Sequence, residues 1–152
     1  MGDEVRFVAD SMLGTLAKWL RILGYDTAYD PGLDDAQIVR QARAEGRVVL
    51  SRDTALVRRK GLRSLLIGSE VLEKQITQVL EGYGLKADKA FSRCPVCNSM
   101  LEDVPRSDTW GQVPPFVSAT QERFSLCPDC NHFYWRGTHW RSMQEKIRSL
   151  QG

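Results

Sequence analysis

At 152 residues, 42% hydrophobic and 26% charged, the chain has apolar material for one ordinary domain with a small appendage, and its composition excludes a disordered polypeptide. A formal charge of +2 excludes nucleic-acid binding by bulk charge and leaves that role to local basic clusters. No apolar run approaches the ~20 residues of a membrane span and no secretory leader pattern is present, so a cytoplasmic protein without membrane contact is expected, its four cysteines more suited to metal than to disulfides.

The run Val5 to Ala9 reads as a strand ending on Asp10, and a helical pattern follows with Leu13, Leu16, Ala17, Leu20 and Leu23 on one face. Gly24 suits the C-cap of that helix. Thr27 to Tyr29 form a short second strand, Asp30-Pro31-Gly32 a turn, and a second helix starts at Asp34 or Asp35, carries Ile38, Val39 and Ala42 inward, and ends at Gly46. Arg47 to Leu50 is a buried parallel strand that leads to Asp53, repeating the opening order of strand and carboxylate. A short helix over 54–60, a strand over 64–67 and a helix over 70–81 complete an alternation that predicts a parallel sheet flanked by helices. This α/β domain is expected over 1–83, a linker over 84–93, and a small four-cysteine zinc ribbon with a C-terminal helix over 94–152.

Cys94-Pro95-Val96-Cys97 and Cys127-Pro128-Asp129-Cys130 are two Cys-x-x-Cys knuckles, the ligand set of a four-thiolate zinc site. Four thiolates leave no open position for water, so the zinc is structural, helping to fold a segment too small for its own core. His132 is surplus to the tetrahedron. Residues 98–126 separate the knuckles and require an inserted loop. Phe124, Phe133, Tyr134, Trp135 and Trp140 suit the ribbon's core; Arg136 and Arg141 remain open to a phosphate role.

Asp10 and Asp53 each follow a strand, and Asp35 opens a helix at the same sheet edge. Any one alone reads as a cap or turn residue. Together they would repel one another unless a cation is present, and Mg²⁺ or Mn²⁺ suits an all-oxygen ligand set. Lys18 and Arg21, on the polar stripe of the first helix, and Arg52 beside Asp53 are candidates for holding substrate phosphates. Arg58-Arg59-Lys60 fit a solvated helix face.

Phe7 to Gly14, Leu16 to Asp26, Gly46 to Asp53 and both knuckles resemble the Mut-seven C-terminal RNase domain family, a PIN-like nuclease fold followed by a zinc ribbon. The resemblance spans nearly the whole chain. It implies a PIN-like sheet with metal-binding acids at the strand ends and ribonuclease activity on RNA, and it carries the acidic positions onto Asp10, Asp35 and Asp53. Ser51 stands where the family usually has threonine, Asp34 beside Asp35 leaves open which of the two points inward, and Glu70 is a weak candidate for a fourth acid.

Two functions are therefore expected to compete. One is a Mg²⁺- or Mn²⁺-dependent ribonuclease using Asp10, Asp35 and Asp53, with Lys18, Arg21 or Arg52 on the strand. The other is a non-catalytic RNA-binding protein whose zinc ribbon does the recognising. A phosphatase with Asp10 as nucleophile is disfavoured, because the second aspartate such enzymes usually carry two residues on is Met12 here.

Overall fold

The computed structural model describes residues 4–151. It divides into two compact units, the first running to Asn98 and the second beginning at Ser99.

In the first unit, β1 (Phe7–Ala9), β2 (Thr27–Ala28), β3 (Val48–Ser51) and β4 (Ser64–Leu66) form a four-stranded parallel sheet in the order β2-β1-β3-β4. β1 starts at Phe7 and not at Val5 because its pairing begins with Phe7 opposite Thr27 and Val48. β1 and β3 are buried along their whole length, which is why they read as continuous apolar runs without alternation. Val8 and Val49 pack with Ile38, Val39 and Ala42 of α2 (Asp35–Glu45) and Leu56 of α3 (Thr54–Val57). Phe7, pointing the other way, meets the edge of Tyr83 with ring centroids 5.5 Å apart, just past the end of α4 (Leu72–Gly82).

The chain enters α1 (Gly14–Ile22) through a 3₁₀ turn over Ser11–Leu13. At the far end of α1, Gly24 takes φ of 98°, and an added Cβ would collide with the backbone of Lys89. Residues 84–93 are therefore not a free spacer. The Tyr25 hydroxyl bonds the backbone of Lys86, the Phe91 N–H donates to Ile22 O at 2.7 Å, and Arg93 Nε donates to Gly24 O at 3.1 Å. These ties carry the first unit through the Cys94 knuckle to Asn98, past the expected boundary.

In the second unit β5 (Glu102–Val104), β6 (Phe124–Leu126) and β7 (Phe133–Trp135) form an antiparallel three-stranded sheet in that order. The stretch between the knuckles holds β5, a 3₁₀ turn over Arg106–Thr109 and α5 (Pro115–Thr120); α6 (Thr138–Gln151) follows the sheet. Among the described residues of this unit only Phe124, Cys127 and Ile147 are buried apolar side chains. So little core does not hold a unit of about 50 residues together unaided.

Candidate active site and metal centre

The sheet order reverses between β1 and β3, and in such sheets the crevice beyond the carboxyl ends of those two strands is the usual ligand site. Asp10 follows β1 and Asp53 follows β3 at that crevice. The Asp10 N–H donates to Leu50 O at 2.9 Å, extending the β1–β3 ladder by one residue and fixing the aspartate beside Ser51. The fully buried Ser51 hydroxyl donates to Asp10 Oδ2 at 2.7 Å and accepts the Asp53 N–H at 2.9 Å. A single hydroxyl thus ties the two acidic positions together. In the sequence Ser51 stands out only as a replacement for threonine; either residue supplies the hydroxyl this bridge requires.

Asp53 Oδ1 accepts the Ala55 N–H at 2.9 Å and caps α3. Asp34 caps α2. Asp34 Oδ1 accepts the Gln37 N–H at 2.8 Å while Gln37 Oε1 accepts the Asp34 N–H at 2.9 Å, a reciprocal capping box. Asp35 is left without a hydrogen-bond or ion-pair partner among the described residues.

Asp10, Asp35 and Asp53 do not draw together as closely as metal ligands usually do. Among the described residues, the only group of three or more His, Cys, Asp or Glu whose ligand atoms lie within 4.8 Å of one another is the four cysteines. None of the three acids forms an ion pair with a basic side chain among the described residues.

Lys18 is exposed, and Arg52 reaches only a loose surface pair with Glu70 at 3.9 Å, so both side chains are available to a ligand. Glu70, the weak fourth acid, is the other half of that pair. Arg21 differs from expectation. It is 8% exposed, and its guanidinium donates to Thr27 O at 2.8 Å, Pro95 O at 3.0 Å and Val96 O at 3.1 Å. Burial lowers its pKa, against the opposing pull of Cys94, Cys97 and Asp26. The polar stripe on α1 is visible in sequence; that Arg21, unlike Lys18, turns inward onto the first knuckle is not.

The Cys94 knuckle is anchored further by Asn98, whose Oδ1 accepts the Thr27 N–H at 3.0 Å and whose Nδ2 donates to Asp26 Oδ1 at 2.6 Å. Asp26 also receives Arg47 Nη1 at 2.7 Å. Burial would raise the Asp26 carboxyl, but the hydrogen bonds from Arg47 and Asn98 outweigh it and hold the group below its ordinary range.

Cys94, Cys97, Cys127 and Cys130 are all unbridged, and their sulfurs lie within 4.8 Å of one another. Tetrahedral zinc with bonds of about 2.3 Å sets sulfurs about 3.8 Å apart, so the donor set and its spacing fit a structural zinc ion. His132 Nδ1 stands 3.0 Å from Cys130 Sγ, beside the tetrad and not needed within it.

A parallel α/β sheet with carboxylates at its switch point, accompanied by a gathered cysteine tetrad, defines a mixed α/β protein with a possible zinc site. A model of the Mut7-C RNAse domain family matches residues 5–147, and the chain belongs to that family. Membership points to nuclease-type activity with RNA as substrate. No curated protein and no solved structure matches the chain. Among the described residues no helix is long and apolar enough to cross a membrane.

Proposed function

We propose that the protein is a divalent-metal-dependent ribonuclease acting at the switch-point crevice, with Asp10 and Asp53 as the principal metal-holding acids and Asp35 as the third. The supporting observation is the Ser51 hydroxyl that joins Asp10 to Asp53 while all three acids lack cationic partners. Uncompensated carboxylates at one edge favour a hard cation. Bound there, Mg²⁺ or Mn²⁺ would supply an activated water and neutralise charge on the phosphodiester.

Ser51 donates to Asp10 Oδ2 and so leaves Oδ1, which has only a 3.3 Å contact from Ser11, free for the cation. Lys18 and Arg52 hold the phosphates; Arg21 drops out of that role because its donors are spent on carbonyl groups. The zinc tetrad maintains structure.

Purified protein incubated with mixed labelled RNAs and Mn²⁺, beside Asp10→Asn, tests the reading: the first should cleave and the second should not. A second reading, RNA binding without cleavage, rests on Trp110 and Phe116, which are 67% and 76% exposed in the second unit and offer ring faces for base stacking. Binding without cleavage by the wild-type protein would favour it.

A further inference from the structure

Residues 36–63 hold eight arginines and lysines against two carboxylates, Glu45 and Asp53, although the whole chain carries only +2. Part of this excess is gathered in space. A shallow, open cleft of about 530 Å³ is lined by Ala36, Val39, Arg40, Arg43, Ala44 and Arg59. All three arginines are exposed, and none forms an ion pair with a carboxylate among the described residues. Arg43 Nη2 donates to Lys60 O at 2.8 Å, so the guanidinium is held in place and joins α2 to the turn that carries Arg59.

The cleft's walls begin at the acidic edge. α2 starts at Asp35, and at 1.5 Å per residue Arg40 and Arg43 lie about 8 and 12 Å further along it. Arg59 lies just beyond α3, the helix capped by Asp53. Ala36 and Ala44 keep the floor low, so an incoming backbone meets no long side chain before it reaches the guanidinium groups. Planar forks of this kind pair with phosphate oxygens in two-point contacts.

We infer that Arg40, Arg43 and Arg59 form a phosphate-binding track that holds the sugar–phosphate backbone of single-stranded RNA as it runs from the acidic crevice along the outer face of α2. The choice of RNA as ligand rests on the nuclease reading; the site itself is separate from the acids. The contacts are to phosphate, so the track carries affinity and direction without base preference.

The test is fluorescence anisotropy with a labelled single-stranded RNA of mixed sequence over a range of salt, using Asp10→Asn protein so that the probe stays intact. Against this background Arg40→Gln/Arg43→Gln/Arg59→Gln is compared with a control triple at other exposed bases, Lys74→Gln/Lys86→Gln/Arg123→Gln. Each phosphate contact on a single strand contributes about 0.7 to the slope of log affinity against log salt. The cleft triple should flatten that slope by about 2 and weaken binding at least ~10-fold at low salt, with the control triple close to the parent. An unchanged slope in the cleft triple, or an equal loss in the control, overturns the track. Cleavage is scored separately with wild-type protein. Arginine-dependent binding without cleavage removes the nuclease reading and keeps the track; cleavage with indifferent arginines does the reverse.

Discussion

The two ends of the parallel sheet use charge in opposite ways. At the amino-terminal end Arg47 bonds Phe7 O at 3.0 Å, Asp26 at 2.7 Å and Glu45 at 2.6 Å, while Asn98 and Arg21 tie Asp26, Thr27 and the first knuckle into the same network. Nearly every donor there faces a specific acceptor. At the carboxyl end Asp10 has hydroxyl neighbours only, Asp53 caps a four-residue helix, and Asp35 has no partner among the described residues. Matched charge at one end holds the fold, and unmatched charge at the other is available to a ligand.

With zinc held by the cysteine tetrad as proposed, its removal is the most severe way to break the first end. Among its described residues the second unit has only Phe124, Ile147 and Cys127 as buried apolar side chains, and a structural zinc contributes on the order of 10 kcal/mol of folding free energy. Chelation should therefore abolish the near-UV circular dichroism of its aromatic residues. Hydrogen exchange sharpens the comparison. The Thr27 amide, which donates to Asn98, should lose protection on zinc removal, while the Asp10 amide, bonded to Leu50 O, should keep it. Near-UV signal that survives stoichiometric loss of zinc would contradict a structural ion.

The second largest effect belongs to the other end. Asp10→Asn should lower cleavage of RNA by roughly 10³-fold, about 4 kcal/mol of transition-state stabilisation, with the melting temperature shifted by no more than ~2 °C. A variant that loses activity only because it unfolds would place Asp10 among the structural charges, and the contrast between the two ends would fail.

How much of this could be read from residue order follows the same division. The strands, helices and cysteine knuckles announce themselves locally, through the apolar runs at Phe7 and Val48, the left-handed Gly46 and the Cys-Pro spacing. The acids at the strand ends were legible because position in a parallel sheet follows from alternation of elements. What stayed hidden depends on partners far away in the chain. Arg21 looked like a surface base because nothing near it in sequence indicates Pro95 and Val96. Residues 84–93 looked like a linker because the fit of Lys89 against Gly24 is a tertiary contact. The arginine cleft needed α2 and the turn after α3 to meet before Arg40, Arg43 and Arg59 shared one hollow.

Arg47→Met comes next in size. It keeps the length of the side chain but leaves the partly buried Asp26 carboxylate without its main cation, and should cost about 2–3 kcal/mol in urea unfolding. Cleavage per folded molecule should be unchanged, because the switch-point crevice lies at the other end of the strands. Lost activity in fully folded protein would show that the two ends are coupled.

The smallest effect is the pH dependence of that same network. The folded-state pKa of Asp26 is lowered, so its ionised form binds the fold better than its protonated form does. Its contribution is complete above the ordinary aspartate pKa of about 4 and is lost as pH falls through the depressed folded value. Wild-type protein should hold a constant stability advantage over Asp26→Asn from neutral pH down to about 4, and the two unfolding curves should converge below it. An advantage that shrinks already near pH 6 would assign the loss to another group; one that persists to pH 2 would mean that shape and hydrogen bonding at position 26, not charge, join Arg47 to Asn98.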